Sequence, residues 1–189
     1  MTHLGTQTLT TPRLILRRFE EGDIPAAFRN WCSDTEVTRY LRWPAHPTQD
    51  VTRMVLTDWI NSYQQPDFYQ WAIVPADVGE VVGTISVVEQ DNRTRKMHIG
   101  YCIGRPWQNK GYVTEALQRV MAFLFEEVGA NRIESQHDPN NPASGRVMTK
   151  CGLLPEAVLR QADWSNQGIV DACMHAILRQ EWEQQRMGT

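Results

Sequence analysis

Lysine is nearly missing from this chain of 189 residues: only Lys96, Lys110 and Lys150 stand beside 16 arginines. With 19 basic side chains against 22 acidic ones and a formal charge of −3, no chain-wide positive surface exists for nucleic acid or anionic lipid. Cysteine is scarce and unpaired in sequence. Cys32, Cys102, Cys151 and Cys173 form no C-x-x-C pair, which predicts reduced thiols in a cytoplasmic setting. Long apolar runs are lacking too. The longest, residues 120–125, is far short of a bilayer, and residues 1–11 have neither the basic nor the apolar region of a signal peptide. What is present, 41% apolar and 22% charged residues, excludes disorder and small disulfide scaffolds and predicts one domain over 1–189, with its core at about 11–182.

The order of local patterns predicts an α/β fold. A β-rich run at 11–19 is broken by Glu20-Glu-Gly-Asp23, with Asp23 as N-cap and Pro25 in the first turn of a helix. Helical patterns follow at 34–40 and 48–63, separated by two prolines. Three β-like runs at 68–74, 80–89 and 97–103 suggest an antiparallel meander. Leu117, Val120, Met121, Leu124, Phe125 and Val128 then form one stripe of an amphipathic helix from Thr114 that ends at Gly129. A strand at 131–137, a helix at 143–151 and a hairpin of strands 156–162 and 169–178 complete the chain. The β-helix-β order favours a parallel crossover.

Between the third run of the meander and the striped helix lies Gly104-Arg-Pro-Trp-Gln-Asn-Lys-Gly-Tyr-Val-Thr-Glu115. A loop feeding a helix N-terminus aims unpaired backbone N–H groups and the positive end of the helix dipole at one point, which suits phosphate oxygens. Gly111 permits close backbone approach, Asn109 tolerates a left-handed conformation, and Lys110 and Arg105 add mobile charge. The competing reading is a loop that merely turns the chain and solvates its basic side chains. It is neither a G-x-x-x-x-G-K-[ST] nor a G-x-G-x-x-G loop. Residues 93–119 hold six basic side chains and one acid, so an otherwise acidic chain carries one basic band around this loop.

Gln108-x-x-Gly111-x-Val113 resembles the Q/R-x-x-G-x-G/A pyrophosphate loop of the GNAT acetyltransferase superfamily. Met97-His-Ile-Gly-Tyr-Cys-Ile103 is similar to the family's fourth strand, Asn141-Pro-Ala-Ser144 and Lys150-Cys-Gly-Leu153 to the strand exit and helix that follow. The two ends, Thr11-Pro-Arg-Leu-Ile-Leu16 and 171–182, resemble the branch of ribosomal-protein N-terminal acetyltransferases. The resemblance implies a mixed, mostly antiparallel sheet flanked by helices, with a splayed fourth strand. It further implies acetyl-CoA as cosubstrate, without a metal, its pantetheine held by Cys102 and Ile103. The pyrophosphate would meet Gln108, Asn109, Lys110, Gly111, Tyr112, Val113 and Thr114, and Asn141 would touch the pantetheine or sulfur. Val113 stands where Gly or Ala is usual, adding bulk while keeping its N–H.

Acetyl transfer by direct attack of an amine needs a neutral amine, a stabilised oxyanion and a donor for the leaving thiolate. His98 stands where the family often has Glu. Alternation places it with Gly100 and Cys102, opposite Met97, Ile99, Tyr101 and Ile103. It is either a base, neutral at pH 7 with an ordinary pKa of about 6.5, or only a wall of the acceptor cleft. Many relatives carry a Tyr where this chain has Met148, which cannot donate. Ser144 is the alternative donor, against an ordinary capping role. A backbone N–H near Ile103 would meet the oxyanion. Glu89 and His175 are lesser candidates, and His46, His137 and Cys151 lack metal-ligand spacing. Trp31, Trp43, Trp59 and Trp164 serve either the acceptor pocket or the core. The acceptor is a protein N-terminal amine or a small-molecule amine. The rival from another class is a non-catalytic acyl-CoA-binding module, and the oligomeric state, a dimer included, stays open.

Overall fold

In the computed structural model, described for residues 1–187, the chain opens with a short hairpin of β1 (Leu9–Thr10) and β2 (Leu14–Arg17). Three helices follow: α1 (Ile24–Ala27), α2 (Thr35–Thr38) and α3 (Gln49–Ser62). The expected antiparallel meander is β3 (Gln70–Pro75), β4 (Gly83–Asp91) and β5 (Lys96–Ile103). From β5, α4 (Tyr112–Phe123) crosses to β6 (Arg132–His137), which runs parallel to β5. Then α5 (Pro142–Lys150) leads to the hairpin β7 (Leu154–Ser165) and β8 (Gly168–Leu178), and α6 (Arg179–Met187) closes the described chain. The sheet order is β1-β2-β3-β4-β5-β6-β8-β7, with one parallel pair among antiparallel ones, the mixed architecture the sequence implies.

Two apolar layers flank this sheet. On one face, Met97, Ile99 and Ile133 pack against the stripe of Leu117, Val120, Met121, Leu124, Phe125 and Val128, all fully or almost fully buried. Removing each such side chain from water stabilises the fold by roughly 1.5–3 kcal/mol, which is why α4 is rigid enough to present its N-terminus. The helix widens into a π turn over Leu124–Val128 and stops at Gly129, whose φ of 82° few other residues adopt. On the other face, Ile24, Ala27, Trp31 and Leu56 pack on Ala72 and Val74.

Several local expectations are corrected. Asp23 does not cap α1. Its carboxylate accepts from Glu20 N at 2.9 Å and pairs with Arg17 at 2.7 Å, stabilising a 3₁₀ turn at Glu21–Asp23 instead. The helix expected over 34–40 shrinks to α2, capped by Asp34, which accepts from Glu36 N at 2.9 Å. β7 begins earlier and runs longer than expected, because both its faces are largely exposed and its sequence therefore shows no alternation. No helix among the described residues is long and apolar enough to cross a membrane.

Candidate active site

The site begins where β5 leaves β6. The two strands pair only at Lys96/Arg132, Met97/Ile133 and His98/Glu134, after which β5 continues to Ile103 without its neighbour. Ser135 Oγ donates to the Ile99 carbonyl at 2.7 Å, a last side-chain link across the widening gap. This is the splayed strand that the resemblance numbers fourth; it is fifth here because of the extra β1. Beyond the divergence the carbonyls and amides on that edge of β5 have no strand to bond, so they face a cleft.

Gly104 then turns the chain under the helical layer. A Cβ there would lie 2.2 Å from the Asn30 carbonyl oxygen and 2.9 Å from the Trp107 ring, so only glycine fits. A 3₁₀ turn at Arg105–Trp107 leads to Asn109 at φ 60°, the left-handed conformation its residue type tolerates, and to Gly111 at φ 81°, which is left-handed as well. Gly111 caps α4, leaving the amides of Tyr112, Val113 and Thr114 without intrahelical acceptors and aimed outward. Arg13 braces this loop from β2. Its Nη1 donates to the Lys110 carbonyl at 2.9 Å, its Nε to Glu115 at 2.6 Å, and its guanidinium lies over the Tyr112 ring at 4.9 Å. Thr11 Oγ1 also donates to Glu115 at 2.6 Å. The geometry of the loop is therefore fixed by contacts about a hundred residues away in sequence.

A cleft of about 370 Å³ joins the splay to this loop and to the start of α5. Of the residues chosen from sequence, Cys102, Ile103, Gln108, Asn109, Gly111, Tyr112, Val113, Thr114, Asn141 and Ser144 all line it. Lys110 is exposed outside it and contributes its carbonyl to the Arg13 brace. Arg105 is corrected: it is not mobile charge at the loop, because Asp34 holds its Nε at 2.6 Å. Arg146 and Lys150, spaced by four on α5, line the cleft in its place. That i, i+4 spacing next to Ser144 was the available signal. Val37, Tyr40 and Leu41 close the far wall.

Asn141 opens α5 yet makes no capping hydrogen bond with its side chain, so its amide is left for the cleft. Ser144 is no ordinary cap either; its Oγ donates to Tyr101 Oη at 3.1 Å. His98 stands at the last paired level of β5 and is not part of the cleft lining. Its Nδ1 faces Glu134 Oε1 at 3.4 Å, while Nε2 has no protein partner among the described residues. Burial lowers the His98 pKa, outweighing the opposing pull of Glu134, so the ring is neutral at neutral pH.

The other candidates fall away from the cleft. Glu89 is exposed and pairs with Lys96 at 3.3 Å. His137 and His175 lean together, ring centroids 5.3 Å apart, and Cys151 donates to the Thr114 carbonyl at 3.4 Å. Trp31, Trp43 and Trp59 belong to the second apolar layer, and Trp164 is exposed. All four cysteines are free, and no cluster of His, Cys, Asp or Glu among the described residues could hold a metal ion.

The sequence profile described as Acetyltransferase (GNAT) domain matches residues 13–154, which takes in the splayed strand, the loop and α5. This chain belongs to the GNAT acetyltransferase family. It is an N-acetyltransferase, as its relatives are named. The uncharacterized N-acetyltransferase YoaA of Bacillus subtilis is 31% identical over 172 residues, covering 90% of this chain and 96% of that one. The ribosomal protein uS5-alanine N-acetyltransferase of Escherichia coli is 27% identical over 159 residues, 78% of each chain. In fold, the structure of RimL, the ribosomal L7/L12 α-N-protein acetyltransferase in complex with coenzyme A, superposes with a TM-score of 0.81. Identity is 22%, over 91% of this chain and 98% of that one. The family membership stands against the non-catalytic reading.

Proposed function

We propose that this N-acetyltransferase holds acetyl-CoA in the cleft and transfers the acetyl group to a protein N-terminal amine. The observation that carries this is the convergence of the unpaired edge of β5, the open N-terminus of α4 and the uncommitted Asn141 on one cavity. Cys102 and Ile103 offer backbone groups to the pantetheine, and the loop amides and Thr114 meet the pyrophosphate. Ser144 supplies the hydroxyl nearest the leaving sulfur. His98, neutral and with Nε2 uncommitted, stands outside the cleft lining and takes the amine's proton through water. An α-amino group, with a pKa of about 8, is the easier acceptor to deprotonate than a lysine at about 10.4. The names of the uS5 and L7/L12 relatives support a protein N-terminus; a small-molecule amine is the alternative. We read the 189 residues as one such domain, working in the cytoplasm.

Purified protein is expected to release thiol from acetyl-CoA with peptides bearing a free α-amino group and not with their N-acetylated forms. His98→Gln is expected to lower kcat/KM and remove the acid limb of its pH profile. Turnover with small amines alone would move the assignment to the alternative, and an unchanged pH profile would remove His98 from the reaction.

A further inference from the structure

Tyr101 has no role in the scheme above, although its hydroxyl stands where Ser144 faces the cleft. Tyr101 Oη donates to the Ser144 carbonyl oxygen at 3.0 Å and accepts from Ser144 Oγ at 3.1 Å. Both side chains line the cavity together with Cys102, Ile103 and Asn141. Met148, one turn further along α5, is fully buried and has no proton to offer.

Each of the two hydroxyls carries one proton, and in this arrangement both are consumed within the pair. Ser144 therefore turns lone pairs, not a proton, toward the cleft. A negative charge arriving there changes the preferred arrangement. The Tyr101 proton has a second acceptor within reach, Ser144 Oγ, and once it moves there the Ser144 proton is released outward. The result is a chain, Tyr101 O–H to Ser144 Oγ and Ser144 O–H to the cleft, in which each bond polarises the next. Burial also holds the Tyr101 hydroxyl well above the ordinary tyrosine range, so it stays a donor across the working pH.

We propose that Tyr101 is a positioning residue for the leaving thiolate, acting through Ser144 as a two-hydroxyl relay that turns its donor outward only when charge develops on sulfur. The inference rests on the assignment of Ser144 above. In the step itself the C–S bond breaks with its electron pair on sulfur. The amine nitrogen loses its own proton to His98 or water, and both hydroxyls keep theirs. The relay stabilises charge by hydrogen bonding and transfers no net proton, so the step needs no further reactant.

The test needs no acceptor. Calorimetric affinities of coenzyme A and of desulfo-coenzyme A, which lacks the thiol, are compared for wild type, Tyr101→Phe and Ser144→Ala. As the thiol ionises between about pH 7 and about pH 9.5, the preference of wild type for coenzyme A is expected to rise roughly tenfold. In both variants the preference stays flat, and Tyr101→Phe in the Ser144→Ala background changes it no further. Desulfo-coenzyme A binds wild type and Tyr101→Phe within about twofold, because a hydroxyl, not packing, has been removed. A rising preference in Tyr101→Phe with a flat one in Ser144→Ala overturns the relay and leaves Ser144 acting alone. A rise in both variants overturns the assignment of Ser144 as well, and failure of wild type to bind either nucleotide overturns the cofactor reading itself.

Discussion

Gly111→Val weakens acetyl-CoA binding by at least about a hundredfold, because it withdraws two or more charge-assisted amide bonds worth roughly 1.5–3 kcal/mol each. Two effects combine. At φ 81° a β-branched side chain is strained by about 1–3 kcal/mol, so the loop relaxes toward another conformation. A Cβ at this position would also stand 3.3 Å from Arg13 Nη2, the side chain that holds Lys110 and Glu115 in place. The strain and the crowding act on the same few residues, so the open amides of α4 lose their common aim. The rest of the fold has no such dependence on Gly111, and the thermal midpoint drops by only a few degrees, in line with a local cost of that size. Equal affinity of the variant and wild type by calorimetry removes the loop from the binding site.

The second large effect is on stability. Glu134→Gln destabilises the protein by about 2–3 kcal/mol and lowers the melting temperature by roughly 5–10 °C. Glu134 is buried, and its carboxylate accepts from Arg132 Nε at 2.8 Å and Lys96 Nζ at 3.1 Å besides facing His98. Removing one partner of a buried cluster ordinarily costs more, about 3–5 kcal/mol. Here Arg132 and Lys96 are each a quarter exposed and keep Glu156 and Glu89 as second partners, which softens the loss. Burial pushes the Glu134 pKa up, but its two cationic partners outweigh that and hold it below the usual carboxylate range. A carboxylate lowered in the folded state contributes fully above its unfolded pKa, about 4.3, and loses that contribution as pH falls through the lower folded value. The gap between wild type and variant in melting temperature therefore closes on acidification below about pH 4. Because Glu134 favours protonated His98, the variant also shifts the His98 titration to lower pH. A gap that stays constant down to acid unfolding contradicts the buried-carboxylate account.

How much of this was legible in the sequence depends on whether the signal was local. The α4 stripe, Gly129 at its end and the left-handed Asn109 all follow from residues close together in sequence, and the structure shows each of them. Alternation within β5 sets Tyr101 on the apolar face, and it does pack against that core, but its place in the cleft wall is not local information. The face that is core at Met97 and Ile99 becomes cleft wall at Tyr101, since β6 has by then diverged, and no periodicity within β5 records where its neighbour leaves. The pairing of Arg105 is equally invisible in its own segment: Asp34, 71 positions away, decides whether its charge is free. The helix α6 carries few apolar residues and packs mainly through Trp182, so its stripe was too narrow to mark a helix.

Whether the splay of β5 and the N-terminus of α4 together form the acetyl-CoA site is decided by a backbone amide NMR titration with coenzyme A. The largest shifts are expected on residues 102–103 and 108–114, with smaller ones at Asn141 and Ser144 and little change at the β7–β8 hairpin. Shifts confined to that hairpin, or none along residues 108–114 at saturation, would contradict that assignment.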